Sequence, residues 1–364
     1  MVMLMKHVYI HIPFCRKICS YCDFCKMFYH EPLIKSYFTA LKQEIKNFYE
    51  NEVVKTIYIG GGTPSMLKVN ELNELFEIIK ILKKDSDIEF SFECNPEDIN
   101  HGLLETLKKN GVNRLSIGIQ SFNEEKLNFM ERKTNYEELE EKIKLIRNFG
   151  FNNINLDLIY GIPGETFNDL KKDIKDLLKL KPEHISTYAL IIEENTKIKI
   201  DGYENVSEEL EVKMYEYICK KLSRKGLKQY EVSNFALKNH QSRHNLAYWH
   251  NHEYYGFGLG AAGYMNGFRY ENTRNINNYL KGKYRYHETL LSKTEIMEHE
   301  LMLGFRKTKG VNIQEFEDKY EVTLEETFPI KPLLKNKDLI LKNGHIFINP
   351  KKIYMMNEIL LKMI

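Results

Sequence analysis

Over its first 225 residues the chain alternates short apolar runs with longer charged segments whose apolar residues recur every three or four positions. No other feature restricts the fold as strongly. Strands are expected at 7–12, 56–59, 88–92, 114–120, 154–160 and 184–191, with helices at 33–49, 69–84, 136–149 and 167–180. Strand and helix in succession demand parallel pairing through right-handed crossovers, because a helix must carry the chain back along the sheet. Six such units predict an α/β fold, an incomplete (β/α)6 barrel, since a closed barrel needs eight. After about Gly226 the rhythm is lost. Residues 226–290 are rich in Tyr, His, Asn and Gly and are read as an extension of the barrel at 1–225. Residues 291–364 are read as a small winged-helix-like module. It has helices near 295–305 and 313–320, a hairpin of 339–341 with 345–348 turning at Asn343-Gly344, and a last helix.

Composition narrows the function. With 43% hydrophobic residues the 364-residue chain can bury a sizeable core. A net charge of +2 offers no electrostatic case for nucleic acid or for an anionic membrane. No apolar run approaches the length of about 18 residues that spans a bilayer. The opening, MVMLMKHVYI, is only briefly apolar and shows no cleavage site, so a cytoplasmic location is expected. Thiols there stay reduced, and clustered cysteines indicate metal or redox chemistry.

Four of the six cysteines fall within HIPFCRKICSYCDFC, at Cys15, Cys19, Cys22 and Cys25. Thiolates this close in a loop after the first strand can converge on one centre. A closed tetrahedral zinc site would use all four and make the chain a zinc-stabilised binding module. An iron–sulfur cluster on three would leave one iron open to a small-molecule ligand. Zinc ligands usually come as two pairs joined by a spacer, and here all four lie in one run. Cys94 and Cys219 stand alone and are read as buried, inert thiols.

Chemistry in a barrel gathers at the carboxyl ends of the strands. The first expected strand ends in the cysteine loop and the second in Gly60-Gly61-Gly62-Thr63. The third ends in Glu93-Cys94-Asn95, the fourth in Gln120-Ser121, and the fifth contains Asp157. Glycines there make a tight turn or let backbone approach a ligand closely. Asp157, set among apolar residues, needs a partner or ligand to offset burial of its charge. Arg132 follows Gln120 across a short helix.

The C-x3-C-x2-C spacing, with Tyr21 before the third cysteine, resembles the radical S-adenosylmethionine superfamily, in the group related to oxygen-independent coproporphyrinogen III oxidase. The resemblance runs through YIHIPFCRKICSYC, IGGGTPS, FECNPED, RLSIGIQSFNEEKLNFMER, LDLIYGIPGET and SRHNLAYW. It implies a 4Fe-4S cluster on Cys15, Cys19 and Cys22, with S-adenosylmethionine chelating the open iron. It also implies cofactor contacts at Tyr9, Tyr21, Gly60, Gly61, Gly62, Thr63 and Glu93, and polar contacts at Gln120, Arg132 and Asp157. The family leaves Cys25 without a role.

Within the group, the oxidase branch carries Gly-Cys after the third cysteine and a sizeable amino-terminal arm. Here Cys22 is followed by Asp23-Phe24 and only eight residues precede Tyr9, so the arm is not expected. The chain resembles instead the heme chaperone branch, with its Cys-Asp-Phe and its HNxxYW motif at His244–Trp249 written out as His244, Asn245, Tyr248 and Trp249. That branch implies heme, a heme-accepting protein and an electron donor for the cluster, and leaves a homodimer open. Radical decarboxylation of coproporphyrinogen III is the enzyme alternative, and no catalytic residue is assigned. A neutral imidazole ligates heme iron well, which makes His244 the expected axial ligand, with His250 and His252 as rivals. Tyr248 and Trp249 would offer flat apolar surface. The alternative is that His244 and Asn245 cap a helix while the aromatics pack. Where the branch has a GxGAHS-like run, this chain has Gly258-Leu259-Gly260-Ala261-Ala262-Gly263, without the histidine and serine.

Overall fold

The computed structural model describes residues 6–194 and 196–363; residues 1–5, on which the reading of the amino terminus partly rests, lie outside the described residues. Six strands form the expected parallel series: β1 (Lys6–Ile12), β2 (Val54–Gly61), β3 (Lys84–Cys94), β4 (Arg114–Gln120), β5 (Ile154–Tyr160) and β6 (His184–Ala189). Each pairs in parallel with the next. Both faces of such a sheet are covered, so its strands read as continuous Val, Ile, Leu and Phe runs. Val8, Ile10, Ile12, Ile57, Ile59, Phe90, Phe92, Ile117 and Leu156 are buried in one core.

The crossovers are helical. They include α1 (Glu31–Phe48), α2 (Val69–Ile79), α3 (His101–Lys109), α4 (Glu124–Phe129), α5 (Tyr136–Asn148), α6 (Phe167–Lys179) and α7 (Glu208–Ser223). Asn100, Asn123, Asn135, Thr166 and Ser207 cap five of them by accepting an N–H of the first turn. The helix expected at 69–84 ends at Ile79, and the strand expected at 88–92 begins at Lys84. The Lys and Asp residues at 84–87 disguise the strand, since they lie at its half-exposed foot.

The sheet does not stop at six strands. The stretch that lacks rhythm supplies β7 (Asn234–Ala236), β8 (Tyr254–Phe257), β9 (Ala262–Met265), β10 (Phe268–Asn272) and β11 (Arg285–Leu290). The order is β11-β10-β9-β8-β1-β2-β3-β4-β5-β6-β7, with Lys228–Gln229 beyond β7. β8 pairs in parallel with β1 as a seventh parallel strand. β9, β10 and β11 follow it antiparallel, and β7 lies antiparallel on β6. The two edge strands are not neighbours, so the barrel stays open.

A separate core holds Met297, Leu301, Phe305, Phe316, Leu333, Ile346 and Ile359. Helices α9 (Lys293–Gly304) and Ile313–Tyr320 precede a hairpin of Leu339–Lys342 with His345–Ile348, joined by Val311–Asn312 as a third strand. Asn343 and Gly344 both adopt positive φ, 52° and 74°, which is the two-residue turn their sequence signals.

Candidate functional site

The carboxyl ends of β1 to β6 surround a cavity of about 340 Å³. Cys15, Cys19 and Cys22 line it together with Gly61, Gly62, Thr63, Glu93, Gln120, Arg132 and Asp157, and Tyr21 closes one side. Register explains the convergence. Ile12, where β1 ends, lies beside Gly61, and Gly62 N–H donates to the Ile12 carbonyl at 2.8 Å. Thr63 N–H donates to the Phe14 carbonyl, so the glycine turn and the cysteine loop are laced by backbone.

The glycines are there for close approach. A Cβ on Gly62 would stand 2.7 Å from the Phe14 carbonyl oxygen and 2.9 Å from Cys15 Sγ. One on Gly60 would stand 2.6 Å from the Glu93 carboxyl carbon. The Thr63 hydroxyl donates to Cys15 Sγ at 3.6 Å. Arg132 reaches back across α4 to donate to the Gly118 carbonyl at 2.6 Å, Asn95 Oδ1 at 3.0 Å and Cys19 Sγ at 3.7 Å. Gln120 holds φ of 65°, strain that a non-glycine residue keeps only where its surroundings impose it.

Two carboxyls face the same space. Glu93 accepts from Tyr58 OH at 2.8 Å and from Gly61 N–H at 3.0 Å, yet burial, helped by the neighbouring Asp157, pushes it up to about 7. Asp157 is likewise raised by burial, against hydrogen bonds from Asn155 at 2.8 Å and, at 3.4 Å, from Ser116. Carboxyls disfavoured as anions until a cation arrives are what a ligand with an amino group would meet. Burial also raises the Cys15 thiol to about 11, with the Thr63 hydroxyl opposing it. Beneath the rim, Lys126 on α4 bridges Glu165 at 2.6 Å and Asp173 on α6 at 2.7 Å, all three buried. Asp173 also accepts from Ser121 OH and Phe122 N–H, which fixes the end of β4.

The donor set fits a cluster better than a lone ion. Among the described residues no three His, Cys, Asp or Glu side chains converge closely enough to hold a single metal ion. A tetrahedral zinc needs sulfurs about 3.8 Å apart, from Zn–S bonds of about 2.3 Å. Cys15, Cys19 and Cys22 instead stand around shared space, which a cluster would fill with its own bulk.

Not every expected contact lies at the cavity. Tyr9 hydrogen-bonds His11 Nδ1 at 2.9 Å beside Tyr58, and Gly60 sits behind Glu93; neither lines the cavity. Cys25 is turned away: its backbone carbonyl meets His11 Nε2 at 2.7 Å, and its side chain packs on Gly260 of the glycine-rich 256–263 stretch. Cys94 is buried as expected, whereas Cys219 is only partly buried. Asn95, expected at the end of the third strand, also lines the cavity, as do Tyr58, Ser116 and Tyr188, which were missed by the sequence reading. For Tyr58 the available signal was its place on an apolar strand two residues before the glycine turn.

His244, the expected axial ligand, lies away from this cavity. It sits in α8 (Arg243–Trp249), whose N-cap is Ser242. Its Nδ1 faces Thr56 Oγ1 at 2.7 Å, its Nε2 faces Tyr248 OH at 2.7 Å, and it is 1% exposed. Both ring nitrogens have hydroxyl partners. Thr56 precedes Gly61 by five residues, which at about 3.3 Å per residue puts His244 about 16 Å down the strand from the cluster rim. The HNxxYW helix plugs the foot of the barrel. Neither His244 nor Asn245 is the cap, because Ser242 accepts from Asn245 N–H.

Comparison with known proteins agrees with this geometry. The radical SAM superfamily model matches residues 9–177, and that of the HemN C-terminal domain matches residues 291–353. The chain is 41% identical over 340 residues to "Heme chaperone HemW" of Bacillus subtilis (strain 168), covering 89% of each protein. The chain belongs to the HemW family of radical SAM proteins. HemW of Lactococcus lactis is 39% identical, with 88% of this chain and 86% of that one covered, and HemW of Escherichia coli 30%, with 94% and 96% covered. The radical SAM enzyme coproporphyrinogen III oxidase (HemN) from Escherichia coli shares the fold, with a TM-score of 0.86 at 21% identity over 98% of this chain and 89% of that one. As a HemW family member the chain has the α/β radical SAM fold and a small C-terminal module. No helix among the described residues is long and apolar enough to cross a membrane.

Proposed function

We propose that this protein is a heme chaperone: it binds heme and passes it to an acceptor protein, carrying a 4Fe-4S cluster and S-adenosylmethionine. The observation that carries the cofactor half is the shared cavity of Cys15, Cys19 and Cys22 with the glycine turn, Glu93, Arg132 and Asp157. The three thiolates would hold the cluster, whose open iron would anchor the amino and carboxyl groups of the cofactor. Such a centre supplies one-electron chemistry when bound. Around it the chain's own residues orient and neutralise. Gly61 and Gly62 admit a ligand to the backbone, Glu93 and Asp157 offer negative charge to a cation, and Arg132 fixes the rim beside Cys19. The heme half rests on the likeness to the HemW relatives, which are named heme chaperones.

The test is anaerobic reconstitution followed by three measurements: iron and sulfide per chain, the cluster's electron paramagnetic resonance with and without S-adenosylmethionine, and heme transfer to an apo acceptor. A signal unmoved by S-adenosylmethionine would sink the cofactor assignment. Failure to bind or release heme would sink the chaperone reading. Protoporphyrinogen formed from coproporphyrinogen III, cofactor and reductant would replace it with the oxidase reading.

A further inference from the structure

A second cavity, of about 390 Å³, lies where the C-terminal module meets the barrel, and shares no lining residue with the cysteine cavity. Its walls come from four places: α7, the stretch with Gln229 and Val232, the turn at 305–308 that follows α9, and residues 348–354. The aromatic walls are Tyr215, Phe305 and Tyr354, with Tyr215 and Tyr354 edge to face at 5.2 Å. Apolar flanks with a few polar groups, at about 300–1,000 Å³ and at a domain junction, describe a small-molecule site.

Charge narrows the occupant. Lys220, Arg306, Lys307 and Lys351 line this one cavity against a single acid, Glu216. None of the four is ion-paired among the described residues, in which nineteen ion pairs occupy other cations. The whole chain carries only +2, so an excess of three positive charges around one apolar cavity is a local concentration, not a general basic surface. The Arg306 guanidinium also stands 5.6 Å from the ring centre of Trp249, the last residue of the HNxxYW helix. That helix therefore ends beside Arg306, one of the residues that line this cavity.

Resting on the heme reading above, we propose that this junction cavity is the porphyrin-holding site: the aromatic walls take the flat ring, and Lys220, Arg306 and Lys351 take its carboxylates. The chemistry recognised is a flat aromatic body with carboxylates at one edge. Guanidinium and ammonium groups bind carboxylates directly, and Tyr faces bind flat rings at low entropic loss. Cys219 lines the cavity as well, but the ring and carboxylate contacts do not involve the iron. Iron-free porphyrin should bind it as well as heme does.

The experiment titrates the cluster-reconstituted protein with protoporphyrin IX, its dimethyl ester and hemin, reading porphyrin fluorescence and quenching of Trp249, the one tryptophan. The variants are Lys220→Glu with Lys351→Glu, and Tyr354→Ala, all at exposed positions. Expected are quenching of Trp249 at saturation, protoporphyrin affinity within about threefold of hemin, and at least tenfold weaker binding both of the ester to wild type and of protoporphyrin to the charge-reversed protein. The cluster signal and its response to S-adenosylmethionine stay unchanged in the variants. Equal affinity in wild type and charge-reversed protein, equal affinity for ester and free acid, or unquenched Trp249 would overturn the junction assignment while leaving heme binding intact. Wild type that binds neither hemin nor protoporphyrin would overturn both this site and the chaperone reading.

Discussion

Replacing Glu93 by Gln should stabilise this protein at pH 8 and do nothing for it at pH 4.5. The carboxyl lies at about 7 in the folded chain against 4.5 ordinarily, chiefly because burial disfavours its anion and Asp157 stands close. The folded state therefore holds this proton at pH values where the unfolded chain has released it. Stability is full below about pH 4.5, declines as pH rises toward 7, and above that carries a constant penalty. At 1.36 kcal/mol per tenfold change in proton affinity the penalty is at most about 3 kcal/mol, and water in the cavity reduces it to about 2 kcal/mol. The amide preserves the contacts: its oxygen accepts from Gly61 N–H and its NH2 donates to the Tyr58 oxygen. Urea unfolding of cluster-free wild type and Glu93→Gln at pH 4.5, 6 and 8 reads the difference. Expected is a gap near zero at pH 4.5 that grows to about 2 kcal/mol at pH 8 in favour of the variant. S-adenosylmethionine should bind the same variant at least tenfold more weakly, because the amide no longer offers charge to its amino group. A gap that does not vary with pH, or a variant less stable at pH 8, would show that Glu93 is ionised without penalty and refute the reasoning.

Three further outcomes follow from neighbouring geometry. Gly62→Ala should lower iron bound per chain after reconstitution by more than half, because its Cβ would stand 2.9 Å from Cys15 Sγ and 2.7 Å from the Phe14 carbonyl; full iron loading would contradict it. Lys126→Met should cost about 3–5 kcal/mol in urea unfolding by leaving Glu165 and Asp173 buried without their cation, and adding Glu165→Gln and Asp173→Asn should restore most of it. His244→Ala should cost about 2–4 kcal/mol by leaving the Thr56 and Tyr248 hydroxyls short of a partner. The heme spectrum of that variant should match wild type, and a shifted Soret band would return His244 to the iron.

Local pattern was enough to specify the six strands, four of the helices between them and the groups at their carboxyl ends, because strand and helix periods and the residues beside glycine turns are properties of short segments; the short α3 was not among the helices it gave. The Asn343-Gly344 hairpin was readable for the same reason, since two positive φ values depend on two residues. Local pattern misplaced the boundary at 79–84, where a charged strand foot looks like a helix face. It also passed over β8, because Tyr254–Phe257 becomes a sheet strand only by lying against β1, some 245 positions away. Where His244 points was decided by the same kind of distant contact: Thr56 and Tyr248 occupy its two nitrogens, and no spacing rule carries that information. Arg132 could be suspected from sequence, but its reach back to Cys19, Asn95 and Gly118 depends on how α4 folds over β4. Chemistry that sits within one loop or strand end was determined by the sequence itself. Which histidine is free, which cysteine turns away and where a second cavity opens were decided only when distant segments packed, because burial and hydrogen-bond saturation belong to the assembled molecule.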